Sequence, residues 1–310
     1  MQYIKDKIMG IPGALLLVPM AITALLNTYT SVLDVGNPTS AVFSSAGTMT
    51  IIGIMLVVTG IQMNLALFMK AMKRGGILVL IRMTINVIVS IVFIKLSNGN
   101  LFGISVLTFV VAITSYNPGV YMAIIEDHGD DIDKANFALL SLVVLPIVPA
   151  MIISYDSGGI DYKMVAATLI PLVVGIVIGK IFPESKDASK TLNKLMLPFL
   201  GACLGSAINL ELVFDSWLSG LILFIIYMFI NFIPLYFIDT KILKQSGIAS
   251  IAISCVGGIS LTAPLLISSM NPEYLEYIDQ TIAQVSIGIV LSAIIVPVIT
   301  KRIIKKKVKI

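Results

Sequence analysis

Arg82 is the one charged side chain that falls well inside an apolar run of this sequence. A guanidinium in a bilayer is costly, and its planar fork suits a carboxylate bidentately. Asn86 follows one helical turn later, so the two share a face. The competing reading is snorkelling, because Arg82 lies only about 8 Å from the end of its run at 1.5 Å per residue. Two other runs are interrupted near their centres. One reads Ile113-Thr114-Ser115-Tyr116-Asn117-Pro118-Gly119-Val120-Tyr121, the other Cys255-Val256-Gly257-Gly258-Ile259-Ser260-Leu261-Thr262-Ala263-Pro264. Pro118 removes a backbone donor and disfavours helix at Asn117, and Gly119 relaxes the next position. Irregular backbone at membrane depth survives only where it is buried in protein or lines a watery cavity. Such breaks offer half-helix N-termini to an anion and free carbonyls to a cation. Simple proline kinks with back-bonded hydroxyls are the plainer alternative. The substrate-binding candidates are therefore Arg82, Asn86, Asn117, Gly119, Tyr121, Asn231 and Thr262. The asparagines Asn64, Asn86, Asn209 and Asn231 fit equally well as polar glue between helices.

Enzyme chemistry finds little to work with. His128 is the single histidine, and Cys203 and Cys255 lie in apolar runs without zinc spacing. The acidic loop Glu126-Asp127-His128-Gly129-Asp130-Asp131-Ile132-Asp133 reads as a solvated loop, because an Asp-rich pyrophosphate site needs two such motifs on helices. No phosphate loop, nucleophile elbow or HExxH helix is present. The expectation is that the protein is not an enzyme and carries no cofactor or metal beyond a co-transported ion.

The elements that must position these groups follow from composition. Of 310 residues, 57% are hydrophobic and 12% charged, about half the charge of a soluble domain, near 25%. Hydropathy and turn signals divide the chain into ten apolar segments, about 11–30, 42–62, 77–96, 101–125, 135–154, 163–182, 192–209, 217–238, 248–270 and 280–300. All are expected to be helices, since an open strand in lipid leaves unpaired backbone. With the N-terminus inside, 18 of the 21 Lys and Arg residues fall in cytoplasmic segments. Only Lys95 and Lys163 fall outside, and Arg82 within a span. Both termini are therefore expected in the cytoplasm of a multi-pass protein of the cell (inner) membrane. The tail Lys301-Arg302 to Lys309 is expected to anchor beside anionic lipid, not to bind nucleic acid.

The two halves resemble each other at an offset of 145. Gly60, Asn64, Leu65 and Leu67 match Gly205, Asn209, Leu210 and Leu212; Ile81, Met83, Ile85 and Asn86 match Ile226, Met228, Ile230 and Asn231. The same offset lays Arg82 on Tyr227 and one break on the other. Five spans per half, an odd number, predict inverted repeats, 1–156 and 157–310, the pattern of secondary transporters. The fold class expected is thus an all-α membrane protein of ten transmembrane helices, with helices four and nine broken and crossing.

These residues resemble the bacterial 2-keto-3-deoxygluconate permease family. The likeness covers nearly the whole chain and rests on Ile11-Pro12-Gly13, Leu17-Val18-Pro19, the Asn117 to Tyr121 break, Thr262-Ala263-Pro264 and the basic residue at Arg82. That family is similar to bile-acid/sodium symporter-like carriers, which implies a panel and a core domain, each drawn from both repeats. The resemblance implies cation-driven uptake of a keto-deoxy sugar acid, with the proton as coupling ion. It departs at Val143, where some members carry a Glu. No Asp or Glu sits at the centre of any span, so a proton would travel through Glu211 or on the substrate itself. A sodium ion would instead use carbonyls at the breaks with Asn64, Ser115, Asn209 or Ser260. The expected partners are a small sugar-acid anion and the lipid bilayer, with the oligomeric state open. A sodium-coupled carrier of another organic anion is the alternative within the class, and a channel or non-transporting scaffold the alternative outside it.

Overall fold

A computed structural model describes residues 14–63, 65–117, 120–121, 124–125, 128–130, 133, 136, 140, 147–156 and 162–307. Helices dominate them, in keeping with an all-α membrane protein. Among the described residues three helices are long and apolar enough to cross a bilayer, Gly76–Ser97, Trp217–Ile242 and Pro272–Ile303. Ala46–Gln62 and Leu169–Ile181 are shorter apolar helices. Burial runs opposite to that of a water-soluble protein. Leu80 is 66% exposed while Arg82, two residues on, is 1% exposed. Lipid solvates the leucine and the protein interior holds the polar group.

The chain forms two compact units. The first takes residues 1–64 and 154–214, and the second residues 65–153 and 215–310.

In the first unit Ala14–Tyr29 packs on Ser185–Gly205, and Ser45–Gln62 packs on Tyr162–Ile181. Glycine makes these approaches possible. Gly175 and Gly179, four apart, receive the Val57 and Ile61 backbone, and Gly60 receives that of Leu172. Gly205 does the same for Met20. Small residues at this spacing let helix backbones touch, the main source of helix association where lipid removes the hydrophobic drive.

The second unit holds Leu65–Ser97, Val106–Thr114, Trp217–Ile242, Ile248–Ile253, Thr262–Met270 and Ile278–Lys307. Several boundaries depart from the expected ones. The third helix begins at Leu65, not near 77, and runs 33 residues through Lys70, Lys73 and Arg74. Lys and Arg are good helix formers, so a basic patch need not interrupt a helix. The fourth apolar segment does not open as helix at 101. Asn100–Leu101 pairs antiparallel with Ile104–Ser105, and Val106–Thr114 follows with the Ser105 hydroxyl accepting from Thr108 N at its N-cap. Trp217–Ile242 carries π-helical turns at Met228–Phe232 and Ile238–Ile242. Such turns concentrate at functional sites, and these two hold Asn231 and Asp239.

Candidate polar site in the second unit

Helix Val106–Thr114 stops at Thr114, residues 115–117 are non-helical, and helix is present again at Val120 and Tyr121. The partner chain segment stops at Ile253 and resumes as a tight turn, Gly258–Leu261, before Thr262–Met270. The two breaks touch. Gly257 N–H donates to Ser115 Oγ at 2.8 Å, and Asn117 Nδ2 donates to the Val256 carbonyl at 3.3 Å. Ser260 Oγ donates to the Gly257 carbonyl, so the proton in the 2.7 Å contact between Ser115 Oγ and Ser260 Oγ belongs to Ser115. The result is a closed ring in which each hydroxyl gives and takes. Gly257 is required here, since a Cβ on it would overlap the Tyr116 carbonyl.

Asn117 restarts its helix. Its Oδ1 accepts from Val120 N at 3.1 Å, as an N-cap does. Loss of that cap costs about 1 kcal/mol, and loss of the bond to Val256 about another 1 kcal/mol. Asn117→Ala should therefore lower the thermal unfolding midpoint of the purified protein by several degrees and reduce uptake with it. An unchanged midpoint would show that these contacts are idle.

Arg82 reaches the same place from Leu65–Ser97. Nε donates to Asn231 Oδ1 at 2.9 Å, and Nη2 donates to the Ser115 carbonyl and to Tyr227 Oη at 3.4 Å. Tyr227 Oη donates to the Ser115 carbonyl at 3.2 Å, and Asn231 Nδ2 to the Ile113 carbonyl at 3.2 Å. The arginine therefore binds the uncovered carbonyl of the break and does not snorkel. All its partners are neutral, and Nη1 has none among the described residues.

That orphan donor has company. Asn86 Oδ1 and Nδ2, Ser90 Oγ and Tyr116 Oη are also buried without partners among the described residues. Arg82, Asn86 and Ser90 recur every four residues on one helix face and are each 1% exposed or less. An unpaired buried polar group costs about 1–3 kcal/mol, more when charged. A stripe of them is a built demand for hydrogen-bonding partners. Ser90 and Tyr116 were not among the residues picked out above; Ser90 was legible as the next turn after Asn86.

The other candidates are placed differently. Tyr121 is buried and its hydroxyl donates to the Asp133 carbonyl at 2.7 Å. Thr262 is fully buried at the start of its helix. Asn209 and Glu211 belong to the first unit and are exposed. Asn209 Oδ1 accepts from Glu211 N at 2.8 Å, which makes it a helix cap. Gly119, Asn64 and Val143 lie outside the described residues. The acidic loop is not wholly solvated as expected, because Asp133 is 8% exposed. Asp130 and Asp133 accept from each other's backbone N–H, at 2.8 and 3.2 Å, which turns the chain inward there.

A family model described as 2-keto-3-deoxygluconate permease matches residues 5–309. Among similar curated proteins, the 2-keto-3-deoxygluconate permease of Enterobacter sp. (strain 638) is 28% identical over 306 residues, covering 96% of this chain and 92% of the relative. 2-Keto-3-deoxygluconate permease 1 of Salmonella typhimurium is 27% identical over 309 residues, covering 99% and 97%. That of Pectobacterium carotovorum subsp. carotovorum (strain PC1) is 29% identical over 306 residues, covering 96% of both.

Proposed function

The chain belongs to the 2-keto-3-deoxygluconate permease family, and on that premise we propose that it imports 2-keto-3-deoxygluconate or a close sugar acid by proton symport. It is a transporter and an integral membrane protein, not an enzyme. One observation carries the substrate reading. Among the described residues, buried Arg82 is held by neutral groups and its Nη1 has no partner, on the helix face it shares with Asn86 and Ser90. A sugar-acid carboxylate supplies acceptors to Nη1 without needing a second cation. Its hydroxyl and keto groups suit the amide and hydroxyl one and two turns along. The face is closed in this structure, so binding requires it to open, as alternating access does.

Several contacts support two inverted repeats. Arg82 bonds Tyr227, and Ser115 bonds Ser260, each pair 145 residues apart. Residues matched at that offset meet when two halves are related by a two-fold axis. Gly60 receives the second half's backbone at Leu172, and Gly205 receives the first half's at Met20. Both units draw on both halves, which supports reading the first as panel and the second as core. On this reading ten helices cross the inner membrane with both termini cytoplasmic. Cys203 and Cys255 are buried, so engineered cysteines can report orientation. Sites in 126–134 and after 301 should resist an impermeant thiol reagent added to intact cells, while one near Asp156 should react. Labelling of the C-terminal site from outside would reverse the topology.

Uptake into proteoliposomes tests the function. Saturable accumulation of the sugar acid under an acid-outside gradient without sodium is expected. Unsaturable flux would make the protein a channel, and no flux with any sugar acid a scaffold. A sodium requirement would make it a sodium-coupled carrier. The Ser115 and Ser260 hydroxyls are committed to each other and to Gly257, which favours the proton over sodium at the breaks.

A further inference from the structure

A helix that stops inside a membrane leaves its last carbonyls without donors, and its C-terminus carries a partial negative charge. In carriers with broken helices, such ends coordinate the coupling cation. Val106–Thr114 stops in this way, with Ser115 as its C-cap. What meets that end is a side chain. Arg82 Nη2 donates both to the Ser115 carbonyl and to Tyr227 Oη, and Nε donates to Asn231 Oδ1 at 2.9 Å. These acceptors are a carbonyl, a phenol and an amide oxygen. Neutral oxygens of this kind take the place of the hydration shell around a small cation.

Two further observations mark the place as built for positive charge. No group bonded to Arg82 among the described residues is anionic, so dipoles and not a carboxylate balance the guanidinium. The oxygens are also held in position. Tyr227 Oη donates to the same Ser115 carbonyl at 3.2 Å, and Asn231 Nδ2 donates to the Ile113 carbonyl at 3.2 Å. With those protons spent on the break, the Tyr227 and Asn231 oxygens face the arginine as acceptors. All three side chains are buried, and Asn231 sits in the π-helical turn Met228–Phe232. Such turns concentrate at functional sites.

We propose that the Arg82 guanidinium fills a cation site at the break, as a tethered stand-in for a small monovalent metal ion. The site is permanently loaded, so a free ion gains nothing by binding there and coupling is carried elsewhere in the protein. Nε and Nη2 make the contacts to the break, and Nη1 stays available for a substrate. Removal of the arginine leaves held oxygens at a helix C-terminus, which then take up a free ion. The consequence for coupling rests on the symport reading above; the site itself does not.

The test is thermal unfolding of the full purified protein, with no substrate present. Sodium, potassium, ethylguanidinium and choline are compared as chlorides at one ionic strength. The wild-type midpoint should be the same in all four. Arg82→Ala should unfold lower in choline, a bulky cation without N–H groups. It should regain a few degrees in sodium or potassium, as a ligand bound only by the folded state confers. Ethylguanidinium, which restores the lost group, should also raise it. Equal midpoints of Arg82→Ala in sodium, potassium and choline would overturn the proposal. Rescue by ethylguanidinium alone would overturn it too, since the slot would then fit only a guanidinium. So would a wild-type midpoint that rises with sodium, because the arginine would not be filling the site. If Arg82→Ala yields no folded protein in any salt, Arg82→Lys and Arg82→Gln decide. Lysine keeps a tethered cation and should unfold above glutamine, which keeps N–H donors without the charge; equality or the reverse order overturns the proposal. Failure of the wild-type protein to transport any sugar acid would count against the substrate reading alone, because no arm of this test uses a substrate.

Discussion

Arg82→Met is expected to raise the sugar-acid concentration needed for half-maximal uptake by roughly 10²-fold, with Arg82→Lys falling between it and wild type. The magnitude follows from the bonds at stake. A hydrogen bond to a charged group contributes about 1.5–3 kcal/mol, and each 1.4 kcal/mol is about tenfold in affinity. Lysine keeps the charge but is a single point on a flexible stem, so it cannot hold Asn231 and the Ser115 carbonyl while also offering a free fork. Methionine removes the charge and leaves Asn231 Oδ1 without its donor. Concentration-dependent uptake, normalised to protein in the membrane, measures the effect. An unchanged apparent affinity in Arg82→Met would reduce the arginine to a brace for the break.

Gly257→Ala is expected to abolish transport and to destabilise the protein, whereas Gly288→Ala nearby should do neither. The added Cβ at 257 would overlap the Tyr116 carbonyl and stand 3.2 Å from Asn117 Cα. Its neighbour is backbone, not the end of a flexible side chain, so relief requires the two breaks to separate. Separation breaks the Gly257 to Ser115 and Asn117 to Val256 bonds and opens the serine ring. Overpacking costs about 1–3 kcal/mol and occasionally more, and a clash with backbone belongs at the upper end. At Gly288 the nearest atoms are Val256 side-chain carbons at 3.5 to 3.9 Å, which is ordinary contact. Alanine there gains up to about 1 kcal/mol of helix propensity. Thermal unfolding and uptake of both variants, measured side by side, check the contrast. Equal behaviour would mean that the breaks can part without consequence.

The sequence by itself determined the class of the protein and most of its organisation. Low charge and long apolar runs leave a chain no choice but lipid, and lipid leaves the backbone little choice but helix. Pro118 and the pair Gly257-Gly258 declared where two helices must stop, because their backbone chemistry is local. The matched Asn86 and Asn231 and the spacing of Arg82 from Asn86 were readable for the same reason. A helical face is set by residue spacing alone.

Only the tertiary structure decided what those groups do. Nothing local tells whether Arg82 snorkels or turns inward; its bonds to Asn231 and the Ser115 carbonyl come from residues 149 and 33 positions away. Asn209 looked like the equivalent of Asn64 and proved to be a cap, because capping depends on where the next helix starts. Asp133, read as part of a solvated loop, is buried instead, and the misreading has a physical reason. Hydropathy averages over a window, so a single carboxylate at a helix end reads as loop. Its burial depends on which segments fold over it, and that is decided by contacts distant in sequence.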